Sequence, residues 1–170
     1  VNINKIATLR NARGGNVPDL IKAAIDIQRF GADGITVHPR PDERHVKRAD
    51  VYSLKKVVTT EFNIEGYPSD DFLKMIREVK PEQATLVPDP PDVLTSNAGW
   101  DTIKNKSFLK DVLAEIKSYG VRTSIFIAPD VKLIEHAKET GAQRIELYTE
   151  AFASEYATDK QKAIAPYRRA

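Results

Sequence analysis

Two histidines and two arginines lie within eight residues of the sequence, directly after a short apolar segment. His38, Arg40, Arg44 and His45 follow residues 34–37, GITV, which are typical of a buried strand. An imidazole exchanges a proton near neutral pH, and a guanidinium binds phosphate through two parallel hydrogen bonds. A proton-transfer group beside cations at a strand end favours a site that binds and converts a phosphorylated substrate. The alternative is a basic surface loop.

Carboxylates and amides stand at the ends of other predicted strands. Glu65 ends the segment NIE, and Glu146 lies within IEL. Because burying a lone carboxylate is costly, each is either a functional group or one half of a buried ion pair. Asn2 and Asn4 either contact a ligand or satisfy backbone groups at a strand end.

Three further residues have two interpretations each. Thr95, in the long loop VLTSNAGWD, is either a turn residue or a ligand contact. Arg10 and Arg13, in LRNARGG, either meet an anion or are solvated loop charges.

A repeated strand–helix unit is predicted to position these residues. Three times a helix closes on glycine and a β-rich run follows, in RFGADGITVH, SYGVRTSIFI and ETGAQRIELY. We expect Pro18 in the first turn of the first helix. Strands are predicted near 1–4, 34–38, 62–65, 84–88, 122–127 and 144–148. Helices are predicted near 18–30, 48–60, 69–79, 105–119, 130–140 and from 156 onward.

Alternating strands and helices predict an α/β fold, either a (β/α)8 TIM barrel or a doubly wound sheet. No Gly-x-Gly-x-x-Gly motif follows the first predicted strand, which disfavours dinucleotide binding. A full barrel needs about 250 residues. We therefore expect residues 1–170 to be one barrel domain, incomplete at both ends, that supplies the first six units and lacks the last two. A shorter doubly wound sheet is the alternative.

Composition narrows the class of protein. The 170 residues carry 26 Lys and Arg against 24 Asp and Glu, and this small net charge does not indicate a nucleic-acid or membrane partner. There is no cysteine, which fits a reducing compartment. No apolar run approaches the roughly 20 residues of a membrane span. We expect a soluble cytoplasmic protein.

Several segments together resemble the pyridoxine 5′-phosphate synthase family, which makes vitamin B6 in the deoxyxylulose-5-phosphate-dependent route. They are NINKIATLRNARG at 2–14, GADGITVHPRPDERH at 31–45, NIE at 63–65, LVP at 86–88 with Thr95, and IEL at 145–147. The first two segments are long and specific, and the likeness extends over essentially the whole sequence.

The resemblance implies an eight-stranded barrel with added helices that assembles as a homo-octamer. It implies condensation of 1-deoxy-D-xylulose 5-phosphate with 3-amino-2-oxopropyl phosphate, releasing phosphate and water, without a metal or an organic cofactor. Matched by position, the family's catalytic roles fall on His38, Glu65 and Glu146, the last proposed to stabilise charge. Contacts to the deoxyxylulose phosphate fall on Arg40, His45 and Thr95, and contacts to the aminoketone phosphate fall on Asn2 and Arg13.

The sequence departs from the family in two ways. Asn4 and Lys5 replace an Asp-His pair of many relatives, so substrate contact remains possible there while proton transfer becomes doubtful. Nothing in the sequence matches the family's second catalytic histidine or its glycine–histidine phosphate-binding segment. Two alternatives stay open: a sugar-phosphate isomerase or aldolase, with Lys5 as the Schiff-base candidate, and a non-catalytic phosphate-binding module.

Overall fold

The computed structural model describes residues 1–88 and 98–170. Its strands are β1 (Gly34–Val37), β2 (Glu61–Gly66), β3 (Gln83–Leu86), β4 (Arg122–Ile127) and β5 (Arg144–Leu147). Its helices are α1 (Asn4–Arg13), α2 (Leu20–Arg29), α3 (Arg48–Lys55), α4 (Asp70–Val79), α5 (Lys106–Ser118), α6 (Val131–Ala137), α7 (Glu150–Tyr156) and α8 (Lys160–Arg169). A 3-10 turn at Lys138–Thr140 extends α6.

Strand order identifies the type of α/β fold. Within the described residues, the strands form one parallel sheet in the order β1-β2-β3-β4-β5, so each strand pairs with the next one along the chain. A doubly wound sheet reverses its strand order at a switch point, and this sheet does not. The order is that of a barrel, and the described part forms a parallel half-barrel with alternating helices. The α/β barrel prediction is confirmed, and the doubly wound alternative is wrong.

The two faces of the sheet differ in chemistry. Apolar strand residues such as Ile35, Phe62, Ile64 and Ile125 are fully buried in one core cluster with the helices. Since side chains alternate along a strand, the residues between them point to the opposite, inner face. Most of these are polar. The hydrophobic effect thus packs the apolar strand residues against the helices, and the alternation along each strand places the polar residues on the inner face of the barrel.

Hydrogen bonds connect the polar residues of the inner face. Asn63 donates to the Thr36 hydroxyl at 3.3 Å and accepts from the Thr85 hydroxyl at 3.0 Å. At the amino-terminal end of the strands, Glu61 forms ion pairs with Arg122 and Arg144. These three residues form the amino-terminal end of the inner face.

The amino-terminal segment is the main difference from the sequence prediction. Residues 1–4 are not a strand: Asn2 forms an isolated parallel bridge with Thr36, and α1 begins at Asn4. The turn has a local cause, because the Asn2 side chain accepts a hydrogen bond from the Asn4 backbone at 2.9 Å. Pro18 also precedes its helix, which Asp19 caps by accepting from two backbone N–H groups.

No helix in the two described ranges is long and apolar enough to cross a membrane.

Candidate functional site

The loop between β1 and α3 carries a cationic cluster. His38 directly follows β1, and both His38 and Arg40 are buried, while His45 is half-buried. The His38 and His45 rings lie 6.0 Å apart between centroids. The strand ends at Val37, and the chain then turns so that His38 and His45 come close together. The sequence-predicted grouping of imidazoles and guanidinium is therefore present in the structure.

Burial and nearby positive charge lower the pKa of both imidazoles of this loop. Burial first, and then the positive charges of Arg40, His45 and Arg44, lower the pKa of His38 to about 3. Burial also lowers the pKa of His45, with Arg40, Arg44 and Lys5 contributing. A neutral imidazole offers a lone pair at neutral pH, so His38 is suited to accept a proton or a hydrogen bond.

Two carboxylates face the barrel interior from β2 and β5. Glu65 is only 8% exposed, and Glu146 is half-buried. Burial, together with the negative charge of Glu146, raises the pKa of Glu65 to about 8. Burial raises the pKa of Glu146 as well. Glu65 is therefore a carboxylic acid at neutral pH and can donate a proton. The ion-pair alternative belongs instead to Glu61, four residues earlier on the same strand.

His38 and Glu65 lie at neighbouring strand ends. Val37 of β1 and Ile64 of β2 are register partners, so the next residue of each strand is His38 and Glu65. Adjacent parallel strands are about 4.8 Å apart. The neutral His38 imidazole and the protonated Glu65 carboxyl group thus belong to neighbouring strand ends at the carboxyl edge of the sheet, where barrel active sites are built.

The two groups line neighbouring cavities. One cavity of about 470 Å³ is lined by the loop residues His38 and Arg40 and by Tyr67 and Phe72. The other, of about 760 Å³, lies on the inner face and is lined by residues that include Asn2, Asn63, Glu65 and Glu146. Of the predicted site residues, His38 and Arg40 therefore line one cavity, and Asn2, Glu65 and Glu146 line the other.

Asn2 and Asn4, which precede and begin α1, contribute to the site in different ways. Asn4 accepts a hydrogen bond from the His38 backbone N–H at 2.8 Å, and Asn2 lines the inner cavity. The interpretation that these amides satisfy backbone groups agrees with the contacts of both residues, because Asn2 accepts from the Asn4 backbone N–H. The bond from the His38 backbone fixes where the chain leaves β1 and thereby where the His38 side chain begins.

The remaining candidates differ in placement. Lys5 is exposed on α1 and acts electrostatically on His45, whereas Schiff-base lysines are commonly desolvated. Arg13 is exposed at the last residue of α1. Thr95 lies outside the described residues. Among residues 1–88 and 98–170, no group of three or more His, Cys, Asp or Glu side chains is arranged to hold a metal ion.

Sequence reasoning missed the side chains that hold the loop. Arg10 is not a solvated loop charge but a buried residue of α1, paired with Asp50 at 2.8 Å. Its neighbour Asn11 donates to three backbone carbonyl groups of the loop. These contacts join residues 30 to 40 positions apart in the sequence, and no local pattern signals such pairs.

Comparison with known proteins identifies a family. The family model described as "Pyridoxal phosphate biosynthesis protein PdxJ" matches residues 1–170. The chain is 60% identical over 167 residues to the pyridoxine 5′-phosphate synthase of Bacteroides fragilis strain YCH46, covering 98% of this chain and 70% of that protein. It is 61% identical over 170 residues to the protein of the same name from Flavobacterium johnsoniae strain UW101, covering 100% and 72%.

Solved structures of distant proteins share the fold. A D-psicose 3-epimerase structure from Clostridium cellulolyticum H10 with D-tagatose matches with a TM-score of 0.52 at 10% identity. A D-psicose 3-epimerase structure determined in the presence of D-fructose matches with a TM-score of 0.50 at 10% identity. Each match covers 87% of this chain and 64% of the other, so the chain spans less than two thirds of those proteins. At this identity the likeness concerns the fold alone.

Proposed function

The chain belongs to the PdxJ family of pyridoxal phosphate biosynthesis proteins, and from this premise we propose that it takes part in the synthesis of pyridoxine 5′-phosphate. Relatives about 60% identical over nearly the whole chain carry the name pyridoxine 5′-phosphate synthase. The chain spans about 70% of their length, so the proposed activity is that of the complete protein to which residues 1–170 contribute.

The proposed substrates are 1-deoxy-D-xylulose 5-phosphate and 3-amino-2-oxopropyl phosphate, which condense to pyridoxine 5′-phosphate with release of phosphate and water. Both are anions, and the loop after β1 provides Arg40, Arg44 and His45 close together. We assign Arg40, His45 and Thr95 to the deoxyxylulose phosphate, and Asn2 and Arg13 to the aminoketone phosphate. Asn4 and Lys5 complete this set of substrate-binding residues.

The observation that carries the proposal is the opposite protonation of His38 and Glu65 at adjoining strand ends. Joining an amine to a ketone requires proton transfers in carbinolamine formation, dehydration and proton abstraction beside a carbonyl-derived carbon. Each such step gains about 10²–10⁴-fold from a positioned acid or base. With the pKa of His38 at about 3 and that of Glu65 at about 8, His38 carries a free lone pair and Glu65 carries a proton at neutral pH.

Glu146 has a third role in the proposal. It lies on the inner face beside Glu65, half-buried, and its negative charge contributes to the raised pKa of Glu65. When an amine adds to a carbonyl, positive charge develops on nitrogen, and a nearby carboxylate stabilises it. We therefore assign charge stabilisation to Glu146 and proton transfer to His38 and Glu65.

Turnover of both substrates by the complete protein tests the proposal. Pyridoxine 5′-phosphate and inorganic phosphate should form together, and neither should form when one substrate is left out. His38→Ala and Glu65→Gln should each abolish turnover while near-ultraviolet circular dichroism remains that of the parent. Exposed Glu135→Gln on α6 removes the same carboxylate chemistry elsewhere and should leave turnover unchanged. Near-normal turnover by either site variant would remove that residue from the mechanism.

We further propose that residues 1–170 lie within a single barrel domain, and that the protein is a cytoplasmic homo-octamer. The sequential strand order supports the domain, and the family resemblance supports the assembly. Four apolar side chains that are more than half exposed on the described surface, Val1, Leu9, Val17 and Phe30, are suited to subunit contacts. Light scattering of the complete protein should give eight times the subunit mass, and a monomer mass would contradict the assembly.

A further inference from the structure

The second half of the loop between β1 and α3 is wrapped around one amide group. Asn11 Nδ2 lies 3.3, 3.2 and 2.7 Å from the carbonyl oxygens of Glu43, Arg44 and His45. Three consecutive carbonyl groups turn toward one donor only if the chain curls tightly. Glu43 accordingly has a φ of 51°, in the left-handed region that is unfavourable for a residue other than glycine. The curl therefore depends on contacts that hold it.

Arg10 determines which way this amide points. Its Nε and Nη2 donate to Asn11 Oδ1 at 3.1 and 3.0 Å, which leaves Nδ2 directed at the loop carbonyl groups. Arg10 also forms a two-pronged ion pair with Asp50, with both N–O distances 2.8 Å. Asp50 Oδ2 accepts from the Lys47 backbone N–H at 2.7 Å. Arg10, Asn11 and Asp50, the Arg10 cluster, thus join α1, the loop and the first turn of α3.

Helix α1 holds the site loop at both of its ends. Asn4, at the first turn of α1, accepts from the His38 backbone, and the Arg10 cluster holds residues 43–47 from the last turns. Arg40 lies between these attachments, and Arg44 and His45 lie within the second one. Since the helix between Asn4 and Asn11 is rigid, the two attachments set the distance between the beginning and the end of the cationic loop.

We propose that Arg10, Asn11 and Asp50 are positioning residues that fix the curl of residues 43–47 and so give Arg40 and His45 their anion-binding arrangement. This inference rests on the proposed function for the nature of the anion, a phosphate group. The Arg10 cluster contacts the loop backbone, and its proposed role is exerted through that backbone and not through contact with the substrate.

Stability alone does not account for the cluster. A buried ion pair commonly adds little net stability compared with apolar residues of the same volume. Within residues 1–88 and 98–170, the side-chain hydrogen bonds that Arg10 and Asn11 donate go to the cluster itself or to the backbone of residues 43–45. The bonds therefore select one loop conformation, which is what a preorganised binding site requires.

Asn11→Asp is the sharpest variant because it keeps the acceptor for Arg10 and removes the donor to the loop. Its second carboxylate oxygen would face three carbonyl oxygens and repel them. The matched control is Asn105→Asp, since Asn105 Nδ2 donates to a single carbonyl, that of Asp101, before α5. Arg10→Lys is a second variant that keeps a charge opposite Asp50 but cannot make both bonds to Asn11.

Inorganic phosphate is the probe, and the side-chain NMR signals of His38 and His45 in the complete protein report its binding. We expect Asn11→Asp and Arg10→Lys to weaken phosphate binding at least tenfold, while Asn105→Asp binds as the parent does. If Asn11→Asp does not fold, the comparison is made on Arg10→Lys. Parental affinity in the folded variants would overturn the inference, and so would a parent that binds no phosphate at these histidines.

The probe separates this inference from the proposed function. Phosphate titration requires no turnover, so loss of binding in the variants supports the positioning role even if the parent makes no pyridoxine 5′-phosphate. Where the parent is active, the variants should raise KM for the phosphorylated substrates more than they lower kcat, because His38 and Glu65 remain in place. A fall in kcat at unchanged KM would contradict a role in anion positioning.

Discussion

Replacing Glu65 with glutamine should change how stability depends on pH. Burial and the charge of Glu146 raise the pKa of Glu65 from 4.5 to about 8, so the folded state favours the protonated acid. A group whose pKa is raised on folding contributes stability fully below its unfolded pKa, here 4.5. It loses that contribution as the pH rises through the folded value, here about 8. Glutamine imitates the protonated acid at every pH.

The magnitude follows from these two pKa values. Between pH 5 and pH 8, linkage predicts that the free energy of unfolding of the parent falls by about 3–4 kcal/mol relative to that of Glu65→Gln. A difference of one pKa unit between the folded and unfolded states corresponds to about 1.4 kcal/mol. Glu65 is only 8% exposed, so solvent screens this effect little. Titrating groups that do not interact with Glu65 contribute equally to both proteins and cancel in the difference, and the effect of the Glu146 charge is already contained in the raised pKa of Glu65.

Urea unfolding at pH 5, 6, 7 and 8 measures this difference directly. The free energy of unfolding of Glu65→Gln should exceed that of the parent by an amount that grows with pH. Glu135→Gln, on the exposed face of α6, is the control and should follow the parent at each pH. A constant difference between Glu65→Gln and the parent across this range would refute the argument that Glu65 is buried as a neutral acid.

Three further predictions concern the site and the sheet. In the complete protein, kcat/KM should fall as the pH rises through about 8, because Glu65 then loses its proton, and a pH–rate profile measures this. Glu61→Gln should release Arg122 and lower the pKa of Glu65, so the same fall should begin at lower pH. Gly99→Ala should destabilise by about 1–3 kcal/mol in urea, because the new Cβ would lie 2.3 Å from the Ala128 nitrogen; an unchanged midpoint would contradict this close approach.

Much of the fold could be predicted because it depends on local patterns. Glycine caps followed by β-branched runs located β1, β4 and β5, since a left-handed cap and a buried strand are both short-range features. The site at the strand ends could be anticipated for the same reason, because apolar runs mark the strands: His38 follows β1, and Glu65 lies near the end of β2. Parallel pairing then brings these strand ends together without any further information from the sequence.

The rest depended on contacts between distant residues. The sequence does not predict helix α1, because NKIATLRNAR has little apolar periodicity and because the first turn depends on Asn2 and on the backbone of His38. Arg10 and Arg13 are equivalent in the sequence, yet only Arg10 meets Asp50, 40 positions away. The separation of Glu61 from Glu65 likewise came from pairing with β4 and β5, which the sequence does not reveal.

Burial keeps Glu65 an acid, and the sorting of charge along the inner face adds to this effect. Glu61 and Glu65 share one face of β2 and are about 13 Å apart along the strand. Glu61 forms ion pairs with Arg122 and Arg144 at the amino-terminal end of the sheet. At the other end, the negative charge of Glu146 acts on Glu65 and raises its pKa. An arginine drawn toward Glu65 would favour its carboxylate and remove the acid. The ion pairs at the base of the barrel therefore preserve the protonation on which the chemistry at the strand ends depends.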